Sequence, residues 1–79
     1  MKHRTQTILR RLGRNLVLAR VRAGLTQEQV AQRMGVRTTQ YARLERGEHD
    51  SGITKYLDAM WAIGASPEEL LLRLEERMP

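Results

Sequence analysis

Apolar residues recur every three or four positions along most of this chain, and glycines end four of the stretches in which they do so. That spacing is the period of an α-helix with one buried face, and glycine is common just past a helix end. No stretch alternates apolar and polar residues with the period of two typical of a half-buried strand, and clusters of β-branched residues are missing. The sequence therefore predicts an all-α fold.

Five helices are predicted, at about residues 7–22, 26–35, 38–46, 53–63 and 66–78. The second begins with Thr26 as its N-cap and Gln29 three residues later, a pattern in which side chains and backbone N–H groups bond reciprocally. The fifth has three start signals, with Ser66 as N-cap, Pro67 directly after it and Glu69 at the third helical position.

The length of 79 residues is enough for one small domain, predicted to span residues 1–79. The lack of cysteine excludes disulfides and thiolate zinc sites, which fits a cytoplasmic protein. Oligomerisation is then the expected way in which the small core is stabilised. Every uninterrupted apolar run, including 16–19 and 70–72, is too short to span a membrane. His3 and His49 stand alone, and neither Ser51 nor Ser66 has a His–acid partnership that would activate it, so no metal site, cofactor or enzymatic activity is predicted.

The charge balance is basic. Fourteen Lys and Arg residues against nine Asp and Glu residues give a net charge of +5, which favours a polyanionic partner. The three aromatic residues, Tyr41, Tyr56 and Trp61, lie apart in the sequence and form no stacking platform for single-stranded RNA.

The third predicted helix has an unusually polar face. A helical wheel turns Tyr41 and Leu44 toward the core. The opposite side has Ala42 beside small polar and basic residues, namely Thr38 at the helix start and Thr39, Arg43 and Arg46 along the stripe. Such a helix fits the major groove of duplex DNA, where arginine forks onto guanine and threonine offers a hydroxyl and a methyl group.

A glycine-containing turn separates this helix from the second, which is the spacing of a helix-turn-helix unit, here residues 26–47. The segments "LGRNL", "AGLTQEQVAQRMGV", "YARLERGE" and "AIGASPEELL" follow in order. In them the sequence resembles the Cro/phage-repressor family of helix-turn-helix proteins, also called the XRE family, from about Leu12 to Leu72. The resemblance implies a lambda-repressor-like fold of five helices.

The resemblance also implies a role for individual residues. Base edges would be read by Thr38, Thr39 and Arg43, and backbone phosphates would be held by Gln27, Gln40 and Arg46. Arg37, directly before the third helix, is a further candidate for a phosphate contact. Arg20 and Glu45 match a pair that ties the first helix to the third through a salt bridge.

Two positions depart from the family pattern. Arg37 stands where many relatives have a Ser or Thr N-cap, so either Thr38 caps the helix one residue later, or Arg37 gives up the cap to reach a phosphate. Tyr41 stands where a smaller aliphatic residue is usual, and its ring is expected in the core with the hydroxyl at the rim. The basic residues before and within the first helix (residues 1–11 and Arg14) form either a DNA-contacting arm or a solvated face.

Four apolar residues lie off the predicted core faces: Val17, Val21, Trp61 and Leu72. They predict a protein interface, most simply a two-fold homodimer through the fourth and fifth helices, residues 51–78. The expected function is a sequence-specific transcriptional regulator on an inverted-repeat operator, either a phage-type repressor or a restriction–modification controller protein. The alternative is an antitoxin-type protein that neutralises a second small protein and docks it on Val17 and Val21 or on Trp61.

Overall fold

The computed structural model describes residues 2–48 and 52–74, with side chains from Thr5 onward. This part of the chain contains four α-helices, one short 3-10 helix and no strand, which confirms the all-α prediction within it. The elements are α1 (Lys2–Arg22), α2 (Gln27–Met34), α3 (Thr38–Arg46), α4 (Ile53–Ile63) and the 3-10 segment Pro67–Leu71. The predictions made for His49, Ser51, residues 75–78 and the side chains of residues 2–4 lie outside the described residues.

The helix bounds follow local signals closely in the middle of the chain. At the start of α2, the Gln29 N–H donates to Thr26 Oγ1 at 3.1 Å, and the Thr26 N–H donates to Gln29 Oε1 at 2.9 Å. By contrast, α1 begins five residues earlier than predicted, at Lys2. Residues 2–6 contain no Gly or Pro, but the apolar period begins only at Ile8, so the pattern alone does not reveal the first turn.

One cluster of buried side chains forms the core. Helix α3 packs against α1 and α2, α4 packs against the same two helices, and the 3-10 segment covers α1 and α4. The largest side chains without exposed surface are Tyr41, Tyr56, Leu16, Met60, Leu70 and Val30.

The predicted fifth α-helix is a 3-10 helix that ends at Leu71, so the five-helix count is not confirmed. The reason lies in α1, where the buried Asn15 amide Nδ2 donates to the Leu70 carbonyl at 2.7 Å and to the Leu72 carbonyl at 2.9 Å. In a continuing α-helix, the Leu70 carbonyl would accept from the N–H of Leu74 instead. Leu71, which directly follows the buried Leu70 in this segment, is 55% exposed.

The apolar residues predicted off the core differ in exposure. Trp61, Val21 and Leu72 are exposed by 75%, 60% and 57%. Val17 is only half-buried, because it lies within one turn of both Gly13 and Arg20, which contact α3. The pattern did not predict the exposure of four further apolar residues: Ile8, Leu18, Ile53 and Leu71.

None of the described helices is long and apolar enough to cross a membrane. The same part of the chain has no group of three or more His, Asp or Glu residues that could hold a metal ion.

Candidate nucleic-acid interface

Helix α3 lies directly against the backbone of α1, and glycine makes this possible. A Cβ atom at Gly13 would lie 2.2 Å from the Glu45 carbonyl oxygen and 2.7 Å from the Leu44 carbonyl oxygen, both far too close. At the end of α3, Gly47 has φ +65°, and a Cβ atom there would lie 2.7 Å from the Arg10 backbone nitrogen. These two positions hold the C-terminal half of α3 against α1, and the sequence pattern assigned no such role to Gly13.

Arg20 of α1 and Glu45 of α3, predicted as a pair, lie within hydrogen-bonding distance. Arg20 Nε donates to Glu45 Oε2 at 2.6 Å and Nη2 donates to Oε1 at 3.2 Å, a two-bond geometry that fixes both side chains. The remaining guanidinium nitrogen, Nη1, donates to the Leu25 carbonyl at 2.9 Å. One arginine therefore ties α1 both to α3 and to the turn before α2.

Glu45 also holds Gln27, the first residue of α2, because Gln27 Nε2 donates to Glu45 Oε1 at 2.8 Å. The sequence did not predict this contact, which joins residues from α2 and α3. Burial opposes ionisation of Glu45, but hydrogen bonds from Arg20 and Gln27, with the nearby Tyr41 hydroxyl, outweigh it and hold the pKa of Glu45 below its ordinary value. The second Nε2 proton of Gln27 remains available for an anion at the start of α2.

Tyr41 lies wholly in the core, with its hydroxyl beside Glu45 and Arg20. Burial, reinforced by the Glu45 carboxylate, raises the pKa of Tyr41. The prediction that its hydroxyl reaches the rim is wrong, because α1 and α2 enclose this side of the short helix.

The structure excludes one of the two alternatives for the start of α3, the one in which Thr38 is the N-cap. Arg37 occupies the N-cap position, with φ −74° and ψ 149°, and its side chain makes no capping bond. Instead, the Arg37 N–H donates to Gln40 Oε1 at 3.0 Å. Thr38 is therefore the first helical residue and not the cap, which leaves the exposed Arg37 side chain free of a capping role.

The outer face of α3 is polar and positively charged. Thr39, Arg43 and Arg46 follow each other at four- and three-residue spacing, and all three are exposed. Ala42, predicted beside them, is buried because α3 is wedged between α1 and α2. Of the seven residues assigned to DNA contacts, Gln27 is half-buried and six are exposed: Arg37, Thr38, Thr39, Gln40, Arg43 and Arg46.

An acidic residue lies at the end of this face. Arg46 Nε donates to Glu48 Oε2 at 2.6 Å, and Nη2 donates to Oε1 at 3.3 Å. The hydrogen bond raises the pKa of Arg46 and lowers that of Glu48, and Arg43 also contributes to the lowering. The sequence pattern assigned no role to Glu48.

Lys55 adds a further positive charge that the sequence pattern did not single out. It is exposed in the first turn of α4 and lines a cavity of about 140 Å³ together with Arg43 and Gln40 of α3. The first turn of α4 contains no acidic residue, so nothing in it opposes an anion at that helix N-terminus. The same cavity is also lined by four apolar or aromatic residues, namely Met34, Val36, Tyr41 and Leu44.

One comparison with known proteins identifies a family for this chain. A family model described as a helix-turn-helix domain matches residues 11–73, which include α2, the turn at Gly35, and α3. A search of curated proteins gave no match. Because the family match covers most of the chain and both helices of the unit, this protein belongs to the helix-turn-helix domain family, a DNA-binding family, in its Cro/phage-repressor (XRE) group.

Proposed function

We propose that this protein is a sequence-specific regulator of transcription that binds duplex DNA as a homodimer. The observation that carries the proposal is the exposed row of Thr39, Arg43 and Arg46 on a helix whose other sides are fixed to α1 and α2. A rigidly held helix presents such side chains to base edges in a constant register, which sequence recognition requires.

Each candidate contact has a physical role in this proposal. Arg43, with five N–H donors, pairs with guanine, while Thr38 and Thr39 supply hydroxyl and methyl groups to neighbouring bases. Gln27 binds a phosphate at the N-terminus of α2, where the helix dipole adds positive charge. The other proposed phosphate contacts are those of Arg37, Gln40, Arg46 and Lys55.

The homodimer is proposed on the exposed apolar residues. Leu18 lies one turn from Asn15, whose amide binds the carbonyls of Leu70 and Leu72, so Leu18, Leu71 and Leu72 lie on adjacent stretches of chain. Val21 extends this surface by one turn of α1. Dimeric helix-turn-helix proteins bind half-sites about 34–36 Å apart, or a multiple of that spacing, and we expect the same spacing for this homodimer.

The regulator is either a phage-type repressor or a restriction–modification controller protein. A second candidate function is an antitoxin that binds a small partner protein, and the 75% exposed Trp61 favours it. Large exposed aromatic side chains are enriched at protein interfaces. Substitution of Trp61 by Gln should leave DNA binding intact in either role, but only in an antitoxin would it release a copurifying partner.

Selection from a random duplex pool tests the proposal. The protein should retain an inverted repeat, and a complex of two chains per repeat should be seen by light scattering. Leu72→Asp, which places a charge on the proposed dimer surface, should give monomers. These monomers should bind a single half-site far more weakly than the wild-type dimer binds the whole repeat. A monomeric wild-type protein would contradict the homodimer.

A further inference from the structure

The carboxylate of Glu48 is bound by the guanidinium group of Arg46, a residue proposed to bind DNA. Its two carboxylate oxygens face Arg46 Nε and Nη2 at 2.6 and 3.3 Å, so both donors on one edge of the guanidinium are used. Arg43, the proposed base-reading arginine, lies near enough to stabilise the ionised Glu48 as well. Glu48 directly follows the glycine that ends α3, and therefore lies at the end of the row formed by Thr39, Arg43 and Arg46.

A carboxylate and a DNA phosphate compete for the same edge of an arginine. Each presents two anionic oxygens to two parallel N–H donors, and a guanidinium edge accommodates one such partner at a time. A phosphate that binds Arg46 through this edge must therefore displace Glu48. After displacement, the Glu48 carboxylate remains close to the phosphates and repels them.

We propose that Glu48 acts as an intramolecular competitor of DNA phosphate at Arg46, and thereby lowers the affinity of the protein for all duplex DNA. This inference rests on the proposed DNA-binding function. Its consequence is that the protein is held less strongly on random sequence, where phosphate contacts supply nearly all of the binding energy.

The exposure of the pair limits the size of the effect. The side chains of Arg46 and Glu48 are 56% and 55% exposed, so water and salt screen their attraction. Exposed pairs of this kind contribute weakly, so removal of the Glu48 charge should strengthen binding by about two- to five-fold at low salt. The gain should shrink as salt rises, because the contact it removes is itself screened.

The test compares Glu48→Gln with Glu68→Gln, which changes the net charge equally. Glu68 is exposed on the 3-10 segment, which packs against α1 and α4. Fluorescence anisotropy would measure the binding of each variant to a labelled random-sequence duplex at about 50 and about 200 mM salt. Glu48→Gln should bind the duplex more tightly than Glu68→Gln at both salt concentrations. The ratio of their affinities should be larger at the lower salt concentration.

A double variant identifies the partner of Glu48. In an Arg46→Gln background, Glu48→Gln should gain much less affinity than it does in the wild-type background. An equal gain in the two backgrounds, or an equal effect of Glu48→Gln and Glu68→Gln, would overturn the inference. Failure of the wild-type protein to bind any duplex would instead contradict the proposed function, so the two failures are distinguishable.

Discussion

The side-chain amide of Gln27 donates a 2.8 Å hydrogen bond to the carboxylate of Glu45, and so joins the start of α2 to the buried end of α3. Arg20 binds the same carboxylate from α1. Because Glu45 Oε1 fixes one Nε2 proton of Gln27, the orientation of the other is fixed as well. The proposed phosphate contact of α2 therefore depends on a carboxylate that is itself buried.

Gln27→Ala should weaken binding to specific and random duplexes alike, by about five-fold for one lost hydrogen bond. The slope of log K against log salt should stay unchanged, because glutamine is neutral and releases no counterion. Anisotropy titrations over a salt series measure both quantities. A loss confined to one preferred sequence would show that Gln27 reads a base instead.

The stability of the fold should depend on pH through Glu45. Its pKa in the folded protein lies below the ordinary value of 4.5, so the stabilisation from its ionised form is complete above that pH. It declines as the pH falls through the lower folded pKa, because protonation then removes the partner of Arg20. Urea unfolding of the wild-type protein should show this decline, and Glu45→Gln should show a shallower one.

At neutral pH, Glu45→Gln should be less stable than the wild-type protein by about 3 kcal/mol, because it leaves the partly buried Arg20 without its counter-charge. Equal stability of the two proteins at pH 7 would contradict a structural role for the pair.

Gly13→Ala should destabilise the protein by about 1–3 kcal/mol, although alanine is the better helix former. The added methyl group would overlap backbone oxygens of α3, one of them at 2.2 Å, and no change of rotamer relieves such a contact. Thermal unfolding followed by circular dichroism measures the loss. A variant as stable as the wild-type protein would show that α1 and α3 are not in backbone contact.

Arg46→Gln should weaken binding to every duplex sequence and reduce the magnitude of the salt slope by about 1, as expected for one lost phosphate contact. The matched control is Arg22→Gln, which also removes an exposed arginine paired with a glutamate, but next to the 3-10 segment. Anisotropy titrations of both variants over the same salt series make the comparison. Equal slopes for the two variants would contradict a phosphate contact at Arg46.

Local signals account for the parts of the fold that the sequence predicted. The Thr26–Gln29 capping pair and the glycines at 35, 47 and 64 define their helix ends within a few residues. The same kind of signal at Ser66 and Pro67 predicted the start of the last helical segment correctly, but its length was predicted wrongly. The helix stops because Asn15, more than fifty residues earlier, donates to the Leu70 carbonyl, which would otherwise accept the next helical hydrogen bond. No local pattern contains that information.

The candidate site also has a part that the sequence predicted and a part that it did not. The polar face of α3 is visible in the sequence, because residues at three- and four-residue spacing share a side of a helix. The contacts that hold this face in place join Gly13 to Glu45 and Gln27 to Glu45, which lie far apart in the sequence. Glu48 was missed for another reason, since a polar residue after a helix-ending glycine ordinarily indicates only a loop.

Arg43 is the residue on which sequence recognition most depends in this account. Arg43→Ala should cost about 1–3 kcal/mol on the preferred sequence and should relax specificity at one base pair of each half-site. Its loss of affinity for random DNA should be smaller, because a base contact contributes little there. Titrations with both duplexes measure the two losses.

The most direct test selects the wild-type protein and Arg43→Ala in parallel against one random duplex pool and sequences the retained DNA. The wild-type protein should enrich an inverted repeat, and Arg43→Ala should enrich the same repeat with the preference lost at one symmetric pair of positions. Identical base preferences for the two proteins would contradict base reading by Arg43. Enrichment of no sequence by the wild-type protein would contradict sequence-specific recognition by α3.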